Sequence, residues 1–363
     1  MTEAQIDGRP ASLDAAAQRA AEILSRARLP IVAGLGTDIA GARASIALAE
    51  RIRGAYDHLE SDKIFTDLDV MRQAGRFVTT PNEARLRADV LLFIGKDLTK
   101  IWPQLLERLA PAAVPEFDLA HATRKLVWIA PGRAAAQVDG LDVTTIDSND
   151  PHVALASLRA RVADRPVNSG KGAKRKIDEI AQILKGARFG VAVWGPELLD
   201  SLAIEMLYGL LADLNKTTRF SGLPLGADSN AGGVLQASGW MTGFPMRTSF
   251  GRGFPEHDTW RFDAARLVDS GEADAALWIS AYGREVPRWK KQIPLIALVP
   301  SQVKFDHEPQ VRVEVGGPGV DHDSAEFARE VGAIVARRAS LPSDAPSVSS
   351  VIDRIAQHIG GEA

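Results

Sequence analysis

Residues 29–41 read Leu-Pro-Ile-Val-Ala-Gly-Leu-Gly-Thr-Asp-Ile-Ala-Gly, an apolar run that ends in spaced glycines and passes at once into a helical pattern of Ile39, Ala42, Ile46, Ala49 and Ile52. Strand, glycine turn and helix in that order open a βαβ unit. Upstream, Leu13, Ala16, Ala20, Ile23, Leu24 and Ala27 recur at helical spacing behind Ser12, a suitable N-cap, so a helix is expected within residues 1–28. Downstream, residues 88–95 (ADVLLFIG), 125–130 (KLVWIA), 143–147 (VTTID), 188–194 (RFGVAVW), 273–280 (ADAALWIS) and 293–299 (IPLIALV) repeat the strand signal, with helical segments such as 99–109 and 197–214 between them. Uninterrupted apolar strands alternating with helices belong to parallel sheets covered on both faces. The expected class is α/β, with two Rossmann-like doubly wound lobes and mainly parallel sheets.

A length of 363 residues suits two domains. Residues 165–176 concentrate Gly, Ser, Pro and Lys without apolar periodicity and read as a linker, so the expected lobes are 29–164 and 177–338. Residues 339–363 form a Ser- and Pro-rich tail that ends in a short amphipathic helix carrying Val351, Ile352, Ile355 and Ile359. The two halves also correspond internally: PIVAGLG matches VAVWGPE, ADVLLFIG matches ADAALWIS, and KLVWIAP matches PLIALVP.

The chain contains no cysteine, which excludes thiolate-ligated clusters, disulfides and a cysteine nucleophile. Lys plus Arg number 43 against 46 Asp plus Glu, so no global field draws nucleic acid or an anionic membrane. No stretch reaches the roughly 18 apolar residues of a membrane span, and the first eleven residues carry no presequence pattern. A cytoplasmic location is the expectation.

Gly34-Leu-Gly36-Thr37 and Gly41 follow a strand and open a helix, where backbone amides can hold a phosphate, and Asp57 lies 21 residues beyond Gly36, near the place of a ribose-binding carboxylate. The spacing is GxGx4G rather than GxGxxG, and a tight turn needs small residues even with no ligand. Gly170-Lys-Gly172 lacks the strand and leading glycine of a P-loop. None of the seven histidines forms HxH or HExxH; His257, His307 and His322, each flanked by acids, read as solvated loop polarity because adjacent side chains diverge. Residues 220–255, rich in Gly, Pro and aromatics and charged only at Asp228, Arg247 and Arg252, are expected to have little regular structure and to bind another subunit or a cofactor.

Several of these pieces carry a resemblance: Asn230-Ala-Gly-Gly233, Trp240-Met-Thr-Gly-Phe-Pro245, Phe250-Gly-Arg-Gly-Phe-Pro255, Gly271-Glu-Ala-Asp-Ala-Ala-Leu277, and residues 34–61 ending Ala-Tyr-Asp57-His58-Leu-Glu-Ser61. Together they resemble the B subunit of formylmethanofuran dehydrogenase over residues 29–325, which implies a fold similar to the central domains of molybdopterin oxidoreductases. That family binds a tungsten or molybdenum bis-pterin and an iron–sulfur cluster through cysteines that have no counterpart here. The pattern is similar to the B subunits of formyltransferase/hydrolase complexes of methylotrophic bacteria. In those assemblies a formyl group moves from a tetrahydromethanopterin carrier to a methanofuran-type carrier and is hydrolysed to formate. The hydrolytic zinc site lies in an amidohydrolase-like A subunit and the transfer site in the D subunit.

The resemblance implies a non-catalytic structural subunit of one-carbon metabolism, partnered by A, C and D subunits, without catalytic residues, metal or cofactor of its own. A vestigial crevice between the lobes, or an interface, would then involve Gly34, Gly36, Thr37, Asp57, His58, Asn230, Gly233, Trp240, Thr242, Gly243 and Arg252. By the same resemblance Arg252 matches an active-site arginine of the redox subunits, here turned to structure or docking. Two alternatives stay open: a pterin- or nucleotide-binding oxidoreductase, and a small-molecule binding module that keeps the crevice.

Overall fold

The computed structural model describes residues 4–360, apart from 76, 97, 118–122, 131–139, 148–149, 169 and 196–197. The chain forms two compact units, and neither is a contiguous half.

The first unit comprises Met1–Ser61, Ala227–Phe327 and Ile334–Ala363. It opens with a hairpin, β1 (Ala4–Ile6) and β2 (Arg9–Ala11), turned by Asp7 and Gly8 at φ 48° and 74°, the backbone of a two-residue hairpin turn. Ser12 caps α1 (Leu13–Arg26) by accepting the Ala15 amide. Then come β3 (Pro30–Gly36), α2 (Ile39–Arg51) and β4 (Ala55–His58).

The chain next builds the second unit, Asp62–Gly226 with Ala328–Ala333, from elements that begin with α3 (Ser61–Ala74), α4 (Pro81–Arg87), β5 (Val90–Ile94), α5 (Leu98–Ile101), α6 (Leu105–Leu109), β6 (Lys125–Ile129) and β7 (Asp142–Ile146). The unit continues with α7 (Pro151–Val162), α8 (Lys171–Lys185), β8 (Gly190–Trp194), α9 (Ser201–Leu214) and β9 (Phe220–Pro224).

On its return the chain adds α10 (Ala231–Thr242), β10 (Thr248–Ser249), β11 (Glu256–His257), α11 (Ala264–Ser270), β12 (Ala275–Ser280), β13 (Leu295–Val299) and β14 (Val311–Glu314). A hairpin of β15 (Ser324–Ala328) and β16 (Ala333–Arg337) and the final helix α12 (Val348–His358) follow. Helix α12 packs on α1 and α2 through Val351, Ile352 and Ile355.

The nine-stranded sheet of the first unit runs β11-β10-β4-β3-β12-β13-β14-β1-β2, and its central five strands are parallel. The second unit holds a fully parallel sheet, β7-β6-β5-β8-β9. One of its faces is covered by α7, α8 and α9 through Leu155, Ile180 and Leu207, the other by α4–α6 through Ala84, Leu98 and Leu105. Counted within each unit, these are strand orders 2-1-3-4-5 and 3-2-1-4-5, the two doubly wound arrangements in which a ligand crevice lies at the carboxyl ends where the order reverses. The reversals fall between β3 and β12 and between β5 and β8.

This corrects the expected lobes 29–164 and 177–338. The sequence correspondence is spatial all the same: β3 and β8, β12 and β5, β13 and β6 occupy equivalent places, in β4-β3-β12-β13-β14 and β9-β8-β5-β6-β7. What contiguity could not supply is the sheet order, because β3 pairs with a strand more than 200 residues on, registering Ile31 with Ala276. The expected linker 165–176 is also corrected. Lys171 begins a helix whose apolar stripe, Ile177, Ile180, Ala181 and Leu184, packs on the second sheet.

Residues 220–255 are likewise more regular than expected, since they contain β9, α10 and β10. Glycine suits α10 for packing reasons: a Cβ on Gly233 would stand 2.3 Å from the Asn230 Oδ1, and one on Gly232 would stand 2.9 Å from the Phe327 ring.

Candidate functional site

The turn after β3 is the natural ligand site of the first unit. Gly34 at φ 85° and Leu35 at φ 49° put a bulge into β3, so the register with β12 shifts between Trp278 and Ser280. The approach is close: a Cβ on Gly34 would lie 2.4 Å from the Ile279 carbonyl oxygen, and the Gly36 carbonyl accepts the Ala281 amide at 2.7 Å. Thr37 and Asp38 are buried, and Asp38 caps α2 by accepting the Gly41 amide at 2.9 Å. A carboxylate of the chain itself stands at the helix terminus where a phosphate would bind, and like charge opposes a second anion there.

Asp57 and His58 end β4, and their hydrogen bonds stay within the chain. Asp57 Oδ1 accepts the His58 amide at 2.9 Å and the Ser61 hydroxyl at 2.5 Å, while Oδ2 accepts the Ala264 amide at 3.0 Å and Arg247 Nε at 3.3 Å. Arg247 also pairs with Asp263 at 2.6 Å and donates to the Thr259 carbonyl at 2.7 Å. Burial pushes the Asp57 carboxyl up to about 6, with the Arg247 guanidinium pulling against it. The group is a buried tie between β4 and residues 247–264.

The His58 Nδ1 accepts the Glu60 amide at 3.0 Å, so the ring proton sits on Nε2, 3.1 Å from the Ser229 carbonyl. Burial lowers this imidazole to about 4. A proton on Nδ1 would set two N–H groups against each other, so the ring is held neutral and structural.

Asn230 stands at the N-cap of α10 in the left-handed region, φ 59°. Its side-chain nitrogen donates to the Thr37 carbonyl at 2.8 Å and its oxygen accepts the Phe327 amide at 2.8 Å. Beside it the Tyr282 hydroxyl, just past β12, donates to Glu326 at 2.7 Å, and Glu326 pairs with Arg337 at 2.6 Å. Burial, then the Glu326 carboxylate, raises the Tyr282 phenol well above its ordinary value, so it remains a donor. Residues 326–327 of β15 are thus strapped across the carboxyl ends of β3 and β12. At the end of the strands where this fold takes ligand, these side chains bond to the chain itself.

The second unit closes its reversal point with apolar side chains. A Cβ on Gly95 would meet Leu198 at 2.6 Å, and one on Gly195 would meet Ile101 at 2.3 Å. At the amino-terminal ends of β13 and β14 a cavity of about 590 Å³ lies between Val286–Leu295 and Phe305–Gln310, lined by Trp289, Lys290, Phe305 and His307. It lies at the opposite end of the strands from the turn after β3.

The remaining residues face outward or hold a turn. Thr242 donates from Oγ1 to the Ser238 carbonyl at 2.8 Å, and Gly243, at φ 77°, ends α10. Trp240 is 64% exposed. The Arg252 guanidinium lies 4.9 Å from the Phe254 ring centroid and 3.4 Å from Glu256, away from the β3 turn. The structure therefore gathers Gly34, Gly36, Thr37, Asp57, His58, Asn230 and Gly233, and leaves Trp240 and Arg252 on the surface. The sequence reading missed Arg247, Tyr282 and Glu326 because ion pairs across 190 residues and a closing hairpin leave no local pattern. Trp260 lies just beyond the segment it singled out, where the aromatic density simply continues.

No family model matches the sequence. The chain is 33% identical over 348 residues, 95% of its length and 93% of the relative's, to the B subunit of the formyltransferase/hydrolase complex Fhc of Methylorubrum extorquens. It is 23% identical over 359 residues, covering 93% of this chain and 81% of the relative, to the B subunit of tungsten-containing formylmethanofuran dehydrogenase 2 of Methanocaldococcus jannaschii. Among solved structures it matches a chain of the X-ray crystal structure of the formyltransferase/hydrolase complex (FhcABCD) from Methylorubrum extorquens in complex with methylofuran. That match has a TM-score of 0.88 and 32% identity and covers 98% of both chains.

Proposed function

Because the chain belongs to the family of B subunits of the formyltransferase/hydrolase complex, we propose that it is a non-catalytic structural subunit of such an assembly. The observation that carries the non-catalytic reading is the strap at the β3–β12 reversal. Asp38, Asn230, Tyr282 and Glu326 spend their hydrogen bonds on the chain itself, which leaves no converging polar groups for a substrate among the described residues of that turn.

The tungsten named for the more distant relatives does not fit the residues present. The chain has no cysteine to supply a thiolate. Among the described residues no three His, Asp or Glu side chains group in a way that could hold a metal.

In this reading the chemistry belongs to the partners: an amidohydrolase-like A subunit that hydrolyses, a D subunit that transfers the formyl group, and a C subunit. The carrier is of the methanofuran type, and the chain supplies the frame that holds the subunits. No helix among the described residues is long and apolar enough to cross a membrane, which suits a cytoplasmic assembly. The test is to compare formate release from formyl-tetrahydromethanopterin by the purified assembly and by this chain alone, and to extract both for mass spectrometry. Release by the assembly only, with no pterin or dinucleotide stoichiometric with this chain, is the expected result. Turnover by the isolated chain, or one pterin per chain, would contradict it.

A further inference from the structure

We propose that the cavity between residues 286–295 and 305–310 binds a small zwitterion with an apolar body, the chemistry of a dipeptide that carries an aromatic side chain. The site lies wholly within the first unit and does not depend on the subunit reading.

The cavity measures about 590 Å³, room for a ligand of dipeptide size and within the range of small-molecule sites. Trp289, Ile293 and Phe305 line it with apolar surface, and all three are only partly buried against the core around Trp278 and Ala297. An aromatic ring entering the cavity covers area that the core leaves open.

The walls are fixed. Asp269 Oδ1 accepts the amides of Lys290 and Lys291 at 2.7 and 3.0 Å, the Trp278 indole donates to the Glu285 carbonyl at 2.9 Å, and the Trp289 ring stands edge-on to Trp278 at 5.7 Å. On the other side the Gln310 carbonyl accepts the Asp7 amide at 2.8 Å. Walls held before binding lose little entropy on taking a ligand.

Charge selects the ligand. Lys290 stands on one side of the cavity, Asp306 and Glu308 on the other, and all three line it. Among the described residues none of these three side chains has an ion pair or a hydrogen bond with the chain. Lys291 differs, because its amino group lies over Gly271 at the end of α11, where helix carbonyls draw a cation. A simple anion would be drawn to Lys290 but set against two carboxylates, and a simple cation would meet the reverse. A molecule with a carboxylate at one end and an ammonium at the other satisfies both walls. Gln310, which lines the same cavity, has its side-chain oxygen buried without a partner, and turning that amide offers the oxygen to an N–H of the ligand.

The test is isothermal titration calorimetry of the full-length chain, in the form recovered from its host, with L-alanyl-L-phenylalanine, its N-acetyl form and its C-terminal amide. The proposal expects saturable binding of the free dipeptide at one site per chain, with a Kd of about 1 mM or tighter. The acetyl and amide forms should each bind about fivefold more weakly or worse. Lys290→Ala should weaken the free dipeptide by about fivefold and leave the amide unchanged, whereas Asp306→Asn with Glu308→Gln should weaken the free dipeptide and leave the acetyl form unchanged. These three side chains are exposed, so the variants keep the fold. No saturable binding, equal affinity for the three forms, or binding that both variants leave as tight as the parent's would overturn the proposal. Recovery of the chain without other subunits bears on the subunit reading alone and leaves this test in force.

Discussion

The side-chain nitrogen of Asn230 donates to the carbonyl of Thr37 at 2.8 Å across 193 residues of sequence. The same side chain accepts the Phe327 amide, so one residue pins both the turn after β3 and the strap above it. Asn230→Asp keeps the left-handed backbone accessible and the acceptor for Phe327, but turns the donor into an oxygen facing the Thr37 carbonyl. It should cost about 2 kcal/mol, the penalty of an unmatched buried polar pair. Urea unfolding measures it, and a change below about 0.5 kcal/mol would show that the pin carries no weight.

His58 gives a pH signature. Its folded value, lowered to about 4 by burial, lies below the ordinary 6.5, so the folded chain binds fewer protons than the unfolded one in that window. The associated stability is therefore complete above pH 6.5 and is lost as pH falls towards 4. Asp57, raised to about 6, acts in the opposite sense: its contribution is present at low pH and is lost as pH rises through 6. His58→Gln should therefore lose less stability than the unsubstituted chain between pH 7 and pH 5. The His58 ring resonances should not titrate across that range; a midpoint near 6.5 would contradict the buried neutral ring.

The Arg247 network predicts an order. Removing Asp57 leaves Arg247 still paired with Asp263, whereas removing Arg247 leaves two carboxylates, Asp57 deeply buried, with no cation between them. Arg247→Met should cost about 3–5 kcal/mol and Asp57→Asn clearly less. Equal costs, or the reverse order, would mean that the network is not organised around the arginine.

In the second unit Arg124 is 1% exposed and donates to the carbonyls of Ala84, Arg85 and Leu109, at the ends of α4 and α6. Burial lowers it to about 10, so it remains charged at neutral pH. Arg124→Met should destabilise by about 3 kcal/mol, and Arg124→Lys should recover only part, because one ammonium cannot reproduce a fork spanning three carbonyls. A methionine variant as stable as the parent would show that packing alone suffices at this position.

Much of the fold is legible in single segments. The apolar run 29–35, its glycine turn and the helix from Ile39 read correctly because a parallel strand buried on both faces leaves an unbroken apolar word. The pairing of PIVAGLG with VAVWGPE and of ADVLLFIG with ADAALWIS found equivalent strands, since equal burial selects similar residues. The division into lobes misread them, because which strands share a sheet is decided by pairing over long separations. Residues 165–176 misled because the apolar stripe of α8 starts only at Ile177, after a basic first turn. Residues 231–233 looked like loop because Ala-Gly-Gly weakens a helix by roughly 1 kcal/mol per glycine; the close approach of Asn230 and Phe327 overrides that preference. Asp7-Gly8 is a legible hairpin signal for β1 and β2.

Of the site, Gly34, Gly36, Thr37 and Asp57 are named by a local motif and His58, Asn230 and Gly233 by the resemblance, and they lie together in the first unit. The bonds that tie them to the rest of the first unit are not legible, since Tyr282, Glu326 and Phe327 carry no motif. Trp240 and Arg252 are grouped with them by the resemblance and lie on the surface.

The central claim is that this chain frames an assembly and does no chemistry itself. Affinity purification of the tagged chain from its native host at low expression, followed by native mass spectrometry, tests it most directly. The account predicts a hetero-oligomer with further polypeptides at fixed stoichiometry and no pterin or dinucleotide bound to this chain. A chain recovered alone, as a monomer or homodimer, would contradict it.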